Sequence, residues 1–226
     1  LKQGYRSAIF APLLRGGTAL GTIAVFRRRM GAFHDKDVAL LNTFADQAVI
    51  AIENVRLFNE TREALASQTA SAEILRVMSS SLTDVRPVFE AIVANAVKLL
   101  VCDSAFVMRR DGNSFTVQAA ATPAGLMGEL GLGAMPVDAA ANFPSRVLLE
   151  CKALHLPDWS KVELPEHERR IREQLGVNSA LYLPMLRDGE SVGLLSFARA
   201  RAEAFSDTQI ALAESFRDQA LIAIEN

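Results

Sequence analysis

The sequence predicts an α+β fold in which helices flank a central antiparallel sheet. Three observations predict it: a gapless internal repeat, a long stretch without helix breakers, and the order of the apolar patterns between them. Self-similarity fixes architecture before local propensity does. Gly4–Asn54 and Gly176–Asn226 align at an offset of 172 residues, and 24 of the 51 positions are identical, too many for chance. Matches include Pro12/Pro184, Gly17/Gly189, Gly21/Gly193, Phe33/Phe205 and the closing Ile-Glu-Asn. The chain is therefore expected to hold two copies of one unit. The first copy lacks its opening part, roughly 110–120 residues by the offset. With Leu1 in place of Met, the chain reads as part of a longer protein.

Each copy reads as a hairpin followed by a helix. In the second, Ser179 to Leu186 and Ser191 to Arg199 are β-compatible runs around the turn residues Arg187, Asp188, Gly189 and Glu190. Glycine supplies the positive φ that tight hairpin loops need. Pro184 lacks a ladder donor, so it belongs at a bulge or an unpaired position. Phe205, Ser206 and Asp207 precede a helix, with Ser206 or Asp207 as cap. Its apolar residues Ile210, Leu212, Ala213, Phe216, Ala220 and Ile224 recur near a 3.6-residue period.

Between Gly31 and Pro87 there is neither glycine nor proline, which predicts a continuous helix. Asp35 to Phe58 is apolar on one face. Asn59 to Glu73 carries one large apolar residue, Leu65, and reads as a solvated connector or a thin parallel dimer seam. Ile74, Leu75, Met78 and Leu82 restore an apolar face. Pro87 suits a first helical turn after a Thr83 or Asp84 cap, and a helix runs to Leu100. Next come strands Ser104–Arg110 and Ser114–Ala121 around the turn Asp111, Gly112 and Asn113. An irregular region follows, with helices at Pro144–Cys151 and Pro165–Leu175 and a short strand Ala153–Leu156. The order is helix, two strands, irregular region, two strands, helix. Such a chain folds with helices on one sheet face and the irregular region on the other.

Composition narrows the function classes. Half of the 226 residues are hydrophobic and the formal net charge is -2, so the chain can bury a core. That charge gives no electrostatic reason to expect a nucleic acid or an anionic membrane as partner. No run of about 18 apolar residues predicts a membrane span. Cys102 and Cys151 are too few for a disulfide framework or a thiolate metal site, and a reducing, cytoplasmic compartment fits them.

The segments SALYLP (179–184), RDGE (187–190), Val192-Gly193, FSD (205–207) and DQALIAIEN (218–226) resemble a GAF domain. Copy one matches with SAIFAP (7–12), GTIAV (21–25), FHD (33–35) and DQAVIAIEN (46–54). The connector TASAEILRVMSSS (69–81) resembles those joining tandem GAF domains in bacterial sensor histidine kinases and nucleotide cyclases. The resemblance implies the carboxy-terminal half of a first GAF domain over 1–58, a helical connector over 59–82 and a complete second domain over 83–226. It implies a non-catalytic sensory input module of a signalling protein, such as a two-component sensor, whose output domain lies outside this chain. A small molecule of unidentified nature would bind between the sheet and the irregular region. A degenerate domain that only dimerises and transmits is the alternative. The resemblance names no cofactor.

Candidate site residues follow from that placement. Phe106, Met108, Phe143, Arg146, His155, Trp159 and Tyr182 would line the pocket, and most would serve equally as core. Arg146 is the one charge there that suits an anionic ligand at a helix start. His155, between apolar neighbours, is either a packing histidine or a haem ligand, and no second ligand stands at metal-binding spacing. Relatives that bind cyclic nucleotides carry an Asn-Lys pair, a phenylalanine and then Asp-Glu. Here Phe205 is followed by Gln209-Ile210 and Phe33 by Asp37-Val38, and no Asn-Lys precedes either. Bilin attachment uses a cysteine often followed by histidine, whereas Lys152 follows Cys151. Free-methionine-sulfoxide reductases cluster cysteines on a GAF-like fold, so Cys102 and Cys151 are a conceivable redox pair if a thiolate is accessible. The apolar stripes of the long helix Asp35–Leu82 and of Asp207–Asn226 suggest parallel homodimerisation. The open edge of the first hairpin suggests either disorder or pairing with another chain.

Overall fold

The computed structural model describes residues 4–80, 84–128 and 133–225, with the side chains of 78–80 left aside. They fall into two compact units, Leu1–Leu65 and Ala66–Asn226. The first begins with strands β1 (Ser7–Arg15) and β2 (Thr18–Arg27), paired antiparallel. Their loop is Gly16-Gly17, with φ of 51° and 84°. Positive φ at both loop positions matches the twist of the flanking strands, and glycine meets it without strain. A bulge lies between Leu13 and Leu14. The hairpin presents Ala11 and Leu13 to Leu41 and Ala45 of helix α1 (Asp35–Ser80), with Ile9, Ile23, Ala48 and Val49 around them. Alternation sends Phe10 and Phe26 to the opposite, exposed face.

The glycine- and proline-free stretch is one helix of 46 residues. Its polar middle carries the ion pairs Arg56–Glu60 and Arg56–Glu53 along the exposed surface. Leu82 and Thr83, and the side chain of Met78, lie outside the described residues.

In the second unit Ala70 and Ile74 of α1 are buried in a cluster with α2 (Arg86–Leu99) and α5 (Asp207–Glu225). Asp84 Oδ1 accepts the Arg86 N–H at 2.9 Å, and Pro87 occupies the first turn. Strands β3 (Ser104–Asp111), β4 (Ser114–Thr122), β8 (Ser179–Arg187) and β9 (Glu190–Arg199) form the body of an antiparallel sheet. Two-residue strands β5 (Gly125–Leu126) and β6 (Met135–Pro136) and the short β7 (Leu154–Leu156) complete it. The order is β5-β4-β3-β9-β8-β7, with β6 also on β4. Sequence pattern misses β5 and β6, because two residues carry no periodicity and their pairing is purely backbone. The remaining strand ends lie within a residue or two of expectation. Pro184 stands one residue from the bulge at Met185/Leu186 and past the end of β7.

The period of two divides the sheet between two cores. Ala105, Val107, Leu181, Leu183, Met185, Leu195 and Phe197 face the helices. Met108, Ala180, Tyr182, Leu194 and Ala198 face the segment that carries α3 (Phe143–Glu150), a 3-10 turn at Trp159–Lys161 and α4 (Glu166–Leu175). The two-sided α+β arrangement expected from the sequence is thus what forms. Gly193 sits where β9 meets β3, and a Cβ there would run into the Met108 carbonyl oxygen and Met185 Cε. Among the described residues, no helix is long and apolar enough to cross a membrane.

Candidate functional site

The sheet face away from the terminal helices is built in rows. One row crosses five strands as Ala120, Phe106, Ser196, Tyr182 and Leu154, and the next runs Val117, Met108, Leu194 and Pro184. Tyr182 and Met108 are buried and Phe106 is half-buried, so three sequence-predicted residues do share one face.

Helix α3 lies over these rows. Asn142, in extended backbone, caps it by accepting the Ser145 N–H at 2.7 Å. The capped turn drives Phe143 into the cluster, its ring 6.0 Å from Trp159 and 6.1 Å from Tyr182, both edge-on. Edge-to-face geometry suits the ring quadrupoles. Trp159 is fixed from below by its own N–H, donated to the Asn178 carbonyl at 2.8 Å, and Asp158 caps the 3-10 turn through the Ser160 N–H. Phe143, Trp159, Tyr182 and Met108 therefore meet in one cluster, with Phe106 against it.

The residue that sequence reading missed is Glu168. It lies 1% exposed, and its Oε1 accepts the Phe143 N–H at 2.8 Å. Burial pushes its carboxyl up to about 7, against the pull of the Phe143 N–H and the Arg146 charge. Glu168 in turn joins burial in raising the Tyr182 phenol well above its ordinary value. A glutamate in a strongly charged helix reads as surface. The available signal was spacing: Leu164, Glu168 and Ile171 are four and three apart, which puts the glutamate on the apolar stripe. Among the described residues, five buried side-chain atoms have no hydrogen-bond partner: Ser145 Oγ, Trp159 Nε1, Glu168 Oε2, Arg199 Nε and Gln219 Oε1, of which the first three belong to the segment that carries α3 and α4.

The sequence model of the GAF domain matches residues 84–224, and a second GAF model matches 1–53. The chain belongs to the GAF family. Solved structures agree on the fold. The GAF domain of a phosphoenolpyruvate-protein phosphotransferase from Coxiella burnetii superposes with a TM-score of 0.58 at 13% identity, over 72% of this chain and 94% of that one. A methyl-accepting chemotaxis protein gives 0.56 at 21% identity, over 69% and 94%. The blue-light absorbing form of the PixJ GAF domain from Thermosynechococcus elongatus gives 0.52 at 24%, over 65% and 88%. GAF domains are sensory and regulatory modules of signalling proteins.

Within the GAF fold the remaining sequence-predicted residues separate. The Arg146 guanidinium lies over the Phe143 ring, 5.3 Å from its centroid. His155, on the edge strand β7, takes the packing role: Nε2 accepts the Phe205 N–H at 3.1 Å, and the two rings meet edge-on at 5.9 Å. Burial and the nearby Arg199 charge hold His155 below its ordinary value, which keeps Nε2 an acceptor. The histidine thus ties β7 to the lead-in of α5. Among the described residues no group of three or more His, Cys, Asp or Glu is placed to hold a metal ion.

Both cysteines are free. Cys102 lies in the helix-side core, where burial pushes its thiol up to about 12. Cys151 caps the end of α3, which packs on the opposite face, in left-handed backbone with φ 54°. A thiolate nucleophile needs a lowered pKa and access, and Cys102 has neither.

Proposed function

We propose that this chain is the tandem GAF input region of a cytoplasmic signalling protein such as a sensor histidine kinase. Residues 1–58 belong to a first domain, 59–82 connect, and 83–226 form the second. The second domain binds a small molecule at the Phe143–Trp159–Tyr182 cluster. The bound state biases α5 and the connector helix, which pass the change to an output domain outside the chain. No chemistry is assigned to the module itself. The observation that carries this reading is the trio of unpartnered buried atoms on Ser145, Trp159 and Glu168. Buried polar groups in native cores are almost all paired, and ligand sites are apolar surfaces with a few convergent polar groups.

Native mass spectrometry of the protein purified from its source host tests the reading. A retained small molecule, lost on substitution of Phe143 or Trp159, is the expected result. Bare protein from the host, with no small molecule of its extract restoring a mass shift, would overturn it.

A specific observation favours the alternative. Phe143, Trp159 and Tyr182 pack on one another and are each at most 5% exposed. In that reading the domain's own rings fill the pocket, and it serves as a dimeriser and transmitter. Both readings place the homodimer contact on the apolar stripes of the long helix and of α5. Only monomer in sedimentation at high concentration would rule that contact out.

A further inference from the structure

β7 closes one edge of the sheet and touches both of its cores. It pairs with β8, with Leu154 opposite Tyr182, His155 opposite Leu181 and Leu156 opposite Ala180. Alternation gives these three residues two directions. Leu154 and Leu156 pack on the cluster that holds Phe143, Trp159 and Tyr182. His155 meets Phe205, which is buried on the helix side with residues of α2 and α5.

The contact on the helix side depends on one lone pair. His155 Nε2 accepts the Phe205 N–H at 3.1 Å. Phe205 stands two residues before α5, and the next carbonyl, that of Ser206, accepts the Ile210 N–H at 2.8 Å as the helix begins. A neutral imidazole can accept this bond, whereas an imidazolium has two donors and no acceptor. Protonation would therefore set one N–H against another. It would also place a cation near Arg199, whose guanidinium lies 3.8 Å over the Phe205 ring. Among the described residues, Arg199 is the charge that acts on His155. The other groups around the contact are apolar, neutral or engaged. β8 presents Leu181. Gln209 of α5 is neutral and bonds Arg199. Glu203, in the lead-in to α5, pairs with Arg201 and stands 3.9 Å from Arg199. Asp103, before β3, accepts the Ala200 N–H at 2.7 Å, and both it and Cys102 act on Arg199. Asp158, beyond β7, is taken by Ser160 and Lys161.

We propose that His155 is an acid-opened latch between the segment that carries α3 and α4 and the start of α5. Neutral, it holds Phe205 to the sheet edge, on the strand that Leu154 and Leu156 anchor to the aromatic cluster. Protonated, it releases Phe205, and α5 loses that tie. This holds with or without a small molecule on the far face. Burial and Arg199 hold the histidine below its ordinary value, so the latch stays closed at neutral pH and opens on acidification. Its contribution to stability is present above the ordinary 6.5 and is lost as pH falls through the lowered folded value. Glu168, whose carboxyl is raised, pulls the other way. A global unfolding midpoint mixes the two, so the latch is read locally.

Amide hydrogen exchange at Phe205 and Ile210, and the imidazole nitrogen signals of His155, are followed in the full chain from about pH 8 to about pH 5, a window that spans the ordinary histidine value. As the ring takes up its proton, protection at Phe205 should fall roughly fivefold, the range of a single hydrogen bond. Ile210 should follow, while the amides between β8 and β9 keep their protection. His155→Gln supplies an acceptor that takes no proton, so its Phe205 protection should stay high and flat across the window. His155→Phe removes the acceptor and should show the low value throughout. If a variant fails to fold, ring titration and Phe205 exchange in the unaltered chain decide alone. Ring titration with Phe205 protection unchanged would overturn the latch. So would a His155→Gln chain as acid-sensitive as the unaltered one, or full protection at neutral pH in His155→Phe. A histidine that stays neutral until the chain unfolds would overturn it too.

Discussion

The two copies of the repeat are the same local structure in different surroundings. Hairpin β1–β2 and hairpin β8–β9 bulge at equivalent positions, Leu13/Leu14 and Met185/Leu186. Both close through a two-residue loop with positive φ at each position. Ser7 Oγ donates to the Arg29 carbonyl at 3.0 Å, and Ser179 Oγ to that of Arg201 at 2.9 Å. Arg27 lies 3.8 Å over Phe33, and Arg199 lies 3.8 Å over Phe205. The helix starts agree too: Asp37 accepts the His34 N–H, and Gln209 the Ser206 N–H. Burial does not agree. β8 is buried through its first seven residues, whereas β1 is fully buried only at Ala11 and Leu13. Local geometry is carried by the 51-residue unit, and burial is imposed by neighbours. The arginines show how chemistry adapts. Arg27, partly exposed, pairs with the Asp37 carboxylate at 2.6 Å. Arg199 is buried, and its neighbours are the Leu100 and Ala204 carbonyls and the neutral Gln209 amide, with Glu203 only at 3.9 Å.

Substitution at the paired glycines separates geometry from surroundings most strongly. Gly193→Ala forces a Cβ onto the β3 backbone, which cannot give way, so a loss of roughly 3 kcal/mol is expected, the top of the usual overpacking range. Denaturant unfolding followed at Trp159 measures it. At Gly21 the nearest atom to such a Cβ is Leu13 Cδ1 at 3.5 Å. Gly21→Ala should therefore stay within about 0.5 kcal/mol by hydrogen exchange of the β1–β2 amides. Equal losses would mean that the glycines serve the hairpin and not its neighbours.

The next effect belongs to the second unit's irregular segment. Burial lifts the Glu168 carboxyl from its ordinary 4.5 to about 7, so the folded state prefers the protonated form. That preference stabilises the fold fully below pH 4.5 and is lost as pH rises through about 7. Stability at the Trp159 transition should fall by roughly 2–3 kcal/mol between pH 5 and pH 8, and Glu168→Gln should flatten the profile. A wild-type profile already flat would remove the buried-carboxyl picture. Third in size, Arg199→Met strips buried carbonyls of a charged donor and should cost about 2 kcal/mol. Arg27→Met should cost less, and its effect should shrink with salt, because its partner is exposed.

How much was legible follows from the same division. Hairpins, helix starts and the 46-residue helix were readable because turn glycines, a capping residue such as Ser206 and the absence of breakers act within a few residues. The aromatic members of the site were readable as apolar residues on one face. Glu168 was not, because its burial comes from α3 lying over it, a fact of tertiary packing with only a stripe spacing to betray it. His155 was readable as a packing residue but not as a bridge, since its partner Phe205 is 50 residues away. The two-residue strands β5 and β6 left no pattern to read.

The smallest difference tests the division at a single hydroxyl. Ser7 and Ser179 make the same bond across the open end of their hairpins, but Ser179 is fully buried and Ser7 is not. At an exposed site water takes over an abandoned carbonyl, so Ser7→Ala should change little, within about 0.5 kcal/mol. Ser179 is fully buried and its bond to the Arg201 carbonyl part-buried, so Ala there should cost more, about 1 kcal/mol. The first is read from exchange of the β1–β2 amides and the second from the Trp159 transition. Were Ser7→Ala as damaging as Ser179→Ala, the hydroxyl would be closing the hairpin by itself, and surroundings would no longer explain why two nearly identical units differ.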